Sequence, residues 1–518
     1  MRSGRRGVYR DLRRLRDLRS RTVLRSVARR YATACEARAR LRHAEPGAVV
    51  RFHRLAATRR RIRHDRAGGG RAPALIRAGH RRPYAAGRGR LQRTLDARLR
   101  RARRTQVDRH PACVPPSVAG LPARLCRRRF ESIHLGRRIM KIDIVGAGPA
   151  GMYFALLAKK HDPSHRITIY EQNPEGATYG WGVVFSDIGL SFLKEADPAF
   201  FDEFIAHHER CDYMEIVHRG THVQVHGNHF SRTSRIEMLR VLQRACEREG
   251  IRIEYGRRIE DARALASGCD LLVAADGGNS AIRTQLTEHF RPEFVRRRNK
   301  FAWYGTHQRF HPVSLIFRET QHGVFIAHCY QYSPDLSTFL IETDPDTWRR
   351  AGLDHASEDE SRRFCADVFR PELGSNELLT NRSLWFEANI VSNANWHHDN
   401  IVLLGDALRT VHFSLGSGTR MAMQDAIALH RAVAATPGDP PAAFAAFEAE
   451  RRPASSRFQG AAAKSLDWYE NVAGKLHLDP VSFAYDYMCR TEKVTHDDLR
   501  QRDRLFVDAY DALPASAR

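Results

Sequence analysis

Hydrophobic positions along the chain fall into order abruptly at Met140. KIDIV (Lys141–Val145) is an apolar run of strand length. Residues 151–160 have helical composition, and RITIYE (Arg166–Glu171) alternates, so the three predict a βαβ unit. Residues 214–226 alternate on both sides of Arg219-Gly220 and predict a hairpin. Residues 234–249 place Ile236, Leu239, Leu242 and Cys246 on one helical face. CDLLVAA (269–275) is almost continuously apolar, as in a parallel strand buried on both faces. The character then changes. Residues 301–310, 313–319, 323–332 and Ser337–Thr343 are rich in β-branched and aromatic residues and separated by short turns, which predicts an antiparallel sheet. From residue 400 a parallel-type strand (IVLLGD) returns, followed by a glycine-rich loop, a helix over 419–434 and a mostly helical tail over 442–518.

This order predicts an α/β protein: a Rossmann-type domain assembled from separated chain segments, with an antiparallel-sheet domain inserted between them. Residues 140–213, 234–295 and 396–440 are expected to build the nucleotide-binding part. Residues 214–233 (the hairpin) and 296–395 are expected to build the inserted sheet, and 441–518 the C-terminal helices.

Charge changes the picture only before Met140. Residues 1–139 hold 41 Arg, no Lys and 8 Asp+Glu, a net +33, whereas the remainder holds 44 Lys+Arg against 51 Asp+Glu, a net −7. The overall +26 therefore belongs to one segment. A phosphate-neutralising arm would be a nucleic-acid-binding reading, but such arms mix Lys with Arg and space aromatic residues between them. A transit peptide would be Ser-rich and shorter. Arg, Ala, Gly and Pro without lysine or a sustained apolar period fits translated GC-rich upstream DNA. Residues 1–139 are thus expected to be disordered or a mis-assigned start, with the working protein beginning at Met140 and no nucleic-acid partner. Nine scattered cysteines, without C-x-x-C or zinc spacing, predict a reduced cytoplasmic protein with no structural metal. No apolar run reaches the ~18 residues that a membrane span requires.

Chemistry concentrates in three glycine-containing loops. Gly146-Ala147-Gly148-Pro149-Ala150-Gly151 is a G-x-G-x-x-G between strand and helix. Its first glycine suits the tight turn, its second the approach of a pyrophosphate, and its third close helix–strand packing. Glu171 ends the second strand 20 residues after Gly151, where an acid can accept from ribose hydroxyls. Asp276-Gly277 ends the strand of CDLLVAADGGNSAIR, with Arg283 shortly after. Gly405-Asp406 ends the strand of NIVLLGDALRTVHFSLGSGTRMAMQDA, and a second loop, Gly416-Ser417-Gly418, precedes Thr419 and a helix. Asp406 suits a ribityl or ribose hydroxyl. Amides at 416–419 point from a helix start toward a group that gains negative charge, as the N1–C2=O edge of a flavin does on reduction.

GAGPAG, DLLVAADGGNSAIR and VLLGDA…GSGT…DA together resemble the signatures of the single-component FAD aromatic hydroxylases, the group that includes p-hydroxybenzoate hydroxylase. The resemblance covers about 140–490. YGWGVVFSD, RNKFAWYGT, FIAHCYQYSPDLSTFLIET and HFSLGSGT are similar to the branch of salicylyl-CoA 5-hydroxylase and the monooxygenase portion of anthraniloyl-CoA monooxygenase. They also resemble the flavin-dependent tryptophan hydroxylase of violacein biosynthesis. The resemblance implies FAD, with NADH or NADPH as electron donor and O2 as co-substrate, and ring hydroxylation through a flavin C4a-hydroperoxide. It implies that Gly146, Gly148 and Gly151, with Pro149 and Ala150 between them, hold the pyrophosphate and that Glu171 serves the adenosine ribose. Gly182 and Val183 would line the flavin, Arg235 would open a cofactor-facing helix, and Asp276 and Asp406 would serve the pyrophosphate and ribityl regions. Two departures stand out: Gln172-Asn173 where many members have Arg, and Ser414 in place of a common Pro.

The implied substrate is a small aromatic molecule, with a CoA thioester such as salicylyl-CoA leading and a free aromatic amine or amino acid such as tryptophan as the alternative. His328, Tyr304 and His412 are the candidates for proton transfer or ring positioning. Only one of Trp303 and Tyr304 can face the site, because strand neighbours point to opposite sides. Arg296-Arg297-Arg298 with Lys300 is a candidate handle for CoA phosphates, and His397-His398 is expected in a loop rather than as a ligand pair.

Protein expressed from Met140 is expected to match the full chain in hydroxylase activity. A large loss on truncation, or salt-dependent nucleic-acid retention specific to the full chain, would assign residues 1–139 a function.

Overall fold

A computed structural model of the protein describes residues 139–178 and 180–517. The expectations for the arginine-rich segment fall outside the described residues. Two sheets organise the rest. The first has the spatial order His397–His398, Ile401–Leu403, Leu271–Ala274, Lys141–Val145, Arg166–Glu171, Arg252–Tyr255. All its pairings are parallel except that of the two-residue strand 397–398. Ile142, Ile144, Leu271–Ala274, Val402 and Leu403 are fully buried, which is why these segments read as continuous apolar runs. The helix Pro149–His161 packs between this sheet and the helices Arg235–Arg248 and Gly418–Ala435.

The second sheet runs Leu378–Leu379, Pro292–Thr306, Ser337–Thr343, Gly323–Gln331, Val313–Thr320, Glu209–His218, Thr221–Ser234, Gly182–Ser186. Phe386–Asn393 pairs with the first part of Pro292–Thr306. The predicted hairpin turns at Arg219 and Gly220, both at positive φ (52° and 73°), the geometry that matches strand twist in a two-residue turn. Its arms run to 209 and 234, so the expected boundary at 213/214 lies inside a strand. Gly182–Ser186, expected with the first nucleotide-binding segment, is the sheet's edge. The strand predicted over 301–310 begins at Pro292, and its added residues pair with Phe386–Asn393. Phe294 and Val295 there are more than half exposed, so burial imposes no alternation for the pattern to reveal. Residues 397–398 form a strand rather than a loop, and the His398 ring stacks on His289 at 3.6 Å.

The two faces of the second sheet bury different layers. Ile216, Leu315 and Phe317 pack with Trp468, Tyr469, Phe483 and Phe506 of the C-terminal helices. Tyr304, Ala327, Cys329 and Phe339 face the other way, against Cys365 and Phe369 of the helical segment 358–369. Among the described residues no helix is long and apolar enough to cross a membrane.

The 31-residue helix Pro440–Glu470 is tied to Gly418–Ala435 through Asp425, whose buried carboxylate meets Arg409 at 2.7 Å and Arg451 at 2.7 Å. Removing the anion would strand two largely buried guanidiniums. Asp425→Asn is therefore expected to cost about 3 kcal/mol or more, read by urea unfolding. Unchanged stability would mean that the three groups do not act as a charged unit.

Candidate functional site

The three loops meet at the C-terminal ends of adjacent parallel strands, where Val145 and Leu403 both pair with Ala274. Gly146 has φ +106°, and a Cβ there would lie 2.2 Å from the Ala275 carbonyl oxygen. A Cβ on Gly151 would lie 2.3 Å from the Gly146 carbonyl, and one on Gly405 (φ +61°) 2.9 Å from the Ala150 side chain. These glycines allow backbone to touch backbone. Gly148 differs: a Cβ there meets nothing within 4 Å, so its surroundings are open. Pro149 opens the helix, and Ala150 lies in its first turn. Gly277 has φ +85°.

Hydrogen bonds lock the loops together. Glu171 accepts from the Ala147 amide (2.9 Å) through one oxygen, and from the Asn173 amide (2.8 Å) and side chain (2.7 Å) through the other. Asn173, part of the Gln172-Asn173 departure, thus holds the acid in place. Asp276 caps the turn after its strand by accepting from Ala281 (2.8 Å) and Ile282 (3.2 Å), while its Oδ1 is buried without a partner. Burial raises the Asp276 pKa against those hydrogen bonds. Arg283 donates to Gly278 O (2.6 Å) and to Ala407 O (3.0 Å), joining the second loop to the third. Sequence reasoning noted Arg283 without assigning this role, because its partners are carbonyls and leave no sequence signal.

A cleft of about 180 Å³ runs from Gly148 past Glu171 and Asn173 to Arg235, Leu239 and Tyr255. Asp406 is exposed at the end of its strand. Withdrawal from bulk water raises its pKa, opposed by Arg235 and Arg409. Arg235 is pushed down by burial and held up by Asp406, so the carboxylate and the guanidinium at the cleft interact electrostatically. The Arg235 amide donates to Trp181 O (2.9 Å). Gly182 donates to Thr338 Oγ1 (2.9 Å) and accepts from Tyr330 OH (2.9 Å), and its missing side chain makes room for the Tyr332 ring. Val183 and Val184 follow on that edge, and a Cβ on Gly416 (φ +56°) would lie 3.3 Å from Val184 O. The loop that opens the helix Gly418–Ala435 therefore abuts the edge strand at Gly416 and Val184.

Register sorts the proton-transfer candidates. His328 pairs with Leu340 and Leu340 with Trp303, so these share a face; Tyr304, Phe339 and Cys329 share the other. Tyr304 is fully buried in the apolar layer behind the sheet, and burial raises its pKa. It lies on the wrong face for the site, the outcome of strand alternation. The Trp303 ring lies on the His328 face, against Gly180. His328 Nε2 lies 2.9 Å from Glu342 Oε2, and its ring lies 6.5 Å from Phe413. His412 accepts from the Ser414 amide through Nδ1 (3.2 Å), so Ser414 closes a turn where a Pro would have no N–H to give. Burial lowers the His412 pKa to about 3, and its Nε2 is buried without a partner. Of the basic run, Arg297 pairs with Asp467 and Glu470, and Lys300 with Glu387, while Arg296 and Arg298 are exposed.

Residues 140–460 match the family described as FAD binding domain. Salicyloyl-CoA 5-hydroxylase of a Streptomyces species is 35% identical over 382 residues, covering 72% of this chain and 73% of that protein. The chain belongs to the FAD-dependent aromatic monooxygenases. Protodeoxyviolaceinate monooxygenase of Chromobacterium violaceum is 35% identical over 368 residues, with 68% of this chain and 95% of that protein covered. 3-hydroxy-4-methyl-anthranilyl-[aryl-carrier protein] 5-monooxygenase of Streptosporangium sibiricum is 33% identical over 335 residues, with coverage of 64% and 90%.

In this monooxygenase the open face at Gly148, the unpartnered Asp276 Oδ1 and the exposed Asp406 beside Arg235 fit an FAD with its pyrophosphate at the first helix start. Gly146→Ala and Gly148→Ala should separate fold from binding. The first is expected to yield colourless, destabilised protein; the second, folded protein with FAD affinity lowered about tenfold or more, about 1.4 kcal/mol. FAD retained at wild-type levels in Gly146→Ala would contradict this reading of the loop.

Proposed function

We propose that this monooxygenase hydroxylates an aromatic ring presented as a CoA thioester, with salicylyl-CoA as the leading substrate. The overall reaction consumes O2, NAD(P)H and a proton and yields the ring hydroxyl, water and NAD(P)+. Bound FAD supplies electron transfer and oxygen activation. The protein's part is to hold the cofactor through residues 146–151, Glu171, Arg235, Asp276, Asp406 and 416–419, to present the ring beneath the His328 face, and to exclude water. Similarity to salicyloyl-CoA 5-hydroxylase is the observation that carries the substrate class. A relative whose name specifies an anthranilyl group on a carrier protein supports the same preference for a tethered acyl group. The exposed Arg296 and Arg298 suit the phosphates of such a handle.

A second reading, hydroxylation of a free aromatic amine or amino acid such as tryptophan, draws support from the similarity to protodeoxyviolaceinate monooxygenase, whose name contains no thioester. The two readings separate when substrate-stimulated NAD(P)H oxidation and oxygenated product are compared for salicylyl-CoA, free salicylate, anthraniloyl-CoA and tryptophan. Salicylyl-CoA is expected to lead. Arg296→Ala with Arg298→Ala is expected to raise KM for the thioester about three- to tenfold with kcat unchanged, from exposed charges worth about 0.2–1 kcal/mol each. Turnover of tryptophan alone would replace the first reading with the second.

A further inference from the structure

Glu342 occupies a position where an apolar side chain is expected. It lies in the middle of the second sheet, paired in register with Phe301 on one side and Ile326 on the other, and is fully buried. A lone carboxylate there would cost several kcal/mol, so its partners carry meaning. There are two, and both donate. Asn299 Nδ2, itself buried, reaches Oε1 at 2.7 Å, and His328 Nε2 lies 2.9 Å from Oε2. A carboxylate that receives an N–H at each oxygen is satisfied as the anion, whereas a protonated acid would need an acceptor. The proton of neutral His328 is therefore on Nε2 and the lone pair on Nδ1.

The surroundings single out His328 among the candidates. Tyr304 lies behind the sheet. His412 spends its Nδ1 lone pair on the Ser414 amide, so its remaining nitrogen is a donor. The groups facing His328 are Glu342 from strand Ser337–Thr343, the Tyr469 ring at 5.2 Å from helix Pro440–Glu470, and Phe413 and His412 from the loop. Leu315 flanks it on the neighbouring strand. Arg297 acts on His412. Glu342 is thus the only acidic group in contact with the ring among the described residues.

We propose that Glu342, held by Asn299, is the positioning residue that makes His328 Nδ1 the proton acceptor of hydroxylation. As oxygen bonds to the ring, the O–H or N–H bond of the activating substituent breaks, its electron pair enters the ring, and its proton forms an Nδ1–H bond. When the oxygenated carbon loses its hydrogen as a proton, which is taken up by the second oxygen atom of O2 as it leaves as water, the electron pair of that C–H bond restores aromaticity and the substituent recovers a proton from Nδ1. His328 ends unchanged, and O2 and NAD(P)H account for the oxidation. A buried carboxylate that orients a histidine and stabilises its imidazolium is a pattern that recurs in acid–base sites.

The proposal rests on the hydroxylase reading, and its test keeps the two apart. FAD-loaded wild type, Glu342→Gln, Glu342→Asp and His328→Gln are compared for FAD content, product formed per NAD(P)H with salicylyl-CoA, and kcat/KM against pH. FAD content should be equal. Glu342→Gln should lower product formation about tenfold or more and move the acid limb of the profile to lower pH, because the imidazolium loses its counter-charge. Glu342→Asp should restore part of both, and His328→Gln should abolish the limb. Glu342→Gln within twofold of wild type on an unmoved limb overturns the proposal. If wild type oxygenates none of the four compounds, the functional reading fails. The proposal is then decided by 15N spectra of histidine-labelled wild type, with His328 assigned by its loss in His328→Gln. The Nε2–H tautomer supports it, and the Nδ1–H tautomer overturns it.

Discussion

The site depends on backbone touching backbone. Three strands with consecutive places in a parallel sheet end together, and the loops leaving them are closer than any side chain allows. Gly146 lies against Ala275–Asp276, Gly151 against Gly146, and Gly405 against Ala150. This contact brings amides and carboxylates from segments more than a hundred residues apart to one place. Arg283 then reaches carbonyls of two loops at once. A guanidinium buried with those carbonyls forfeits water on the condition that both loops stay in place, which makes the cradle cooperative.

The second sheet contributes by its register. Two residues adjacent in sequence, Trp303 and Tyr304, receive opposite roles because one packs at Gly180 and the other joins the layer against Cys365 and Phe369. The same alternation carries His328 and Glu342 to a common face although fourteen residues separate them, since their strands are antiparallel neighbours offset by two positions in register. Polarity is then sorted by burial. His412, enclosed and short of partners, is kept neutral, while Glu342 is enclosed with two donors.

Much of this was legible beforehand. Continuous apolar runs ending in Gly or Asp marked the central parallel strands Lys141–Val145, Leu271–Ala274 and Ile401–Leu403, because burial on both faces removes polar positions. The glycine spacings identified the cradle, because positive φ and close approach exclude other residues. Less was legible in the edge ribbon 292–296, whose exposed faces carry no alternation, and in Gly182–Ser186, a strand too short to announce which sheet it joins. Tyr304 and His328 looked alike as polar residues on predicted strands; only the pairing register separates them. Arg283, Asn299 and Glu342 gave no local signal, since each is defined by partners distant in sequence or by backbone carbonyls.

By itself, then, the sequence determined the close-packed glycine turns and the α/β character, since these rest on local sterics and on the periodicity that burial imposes, and it disclosed the family through the resemblance of its three loop signatures. Tertiary structure alone decided which of the candidate histidines has an acid behind it, which arginines of the basic run stay exposed, and where the sheets meet. Those properties depend on distances between segments that the folded backbone brings together, and no spacing along the chain encodes them.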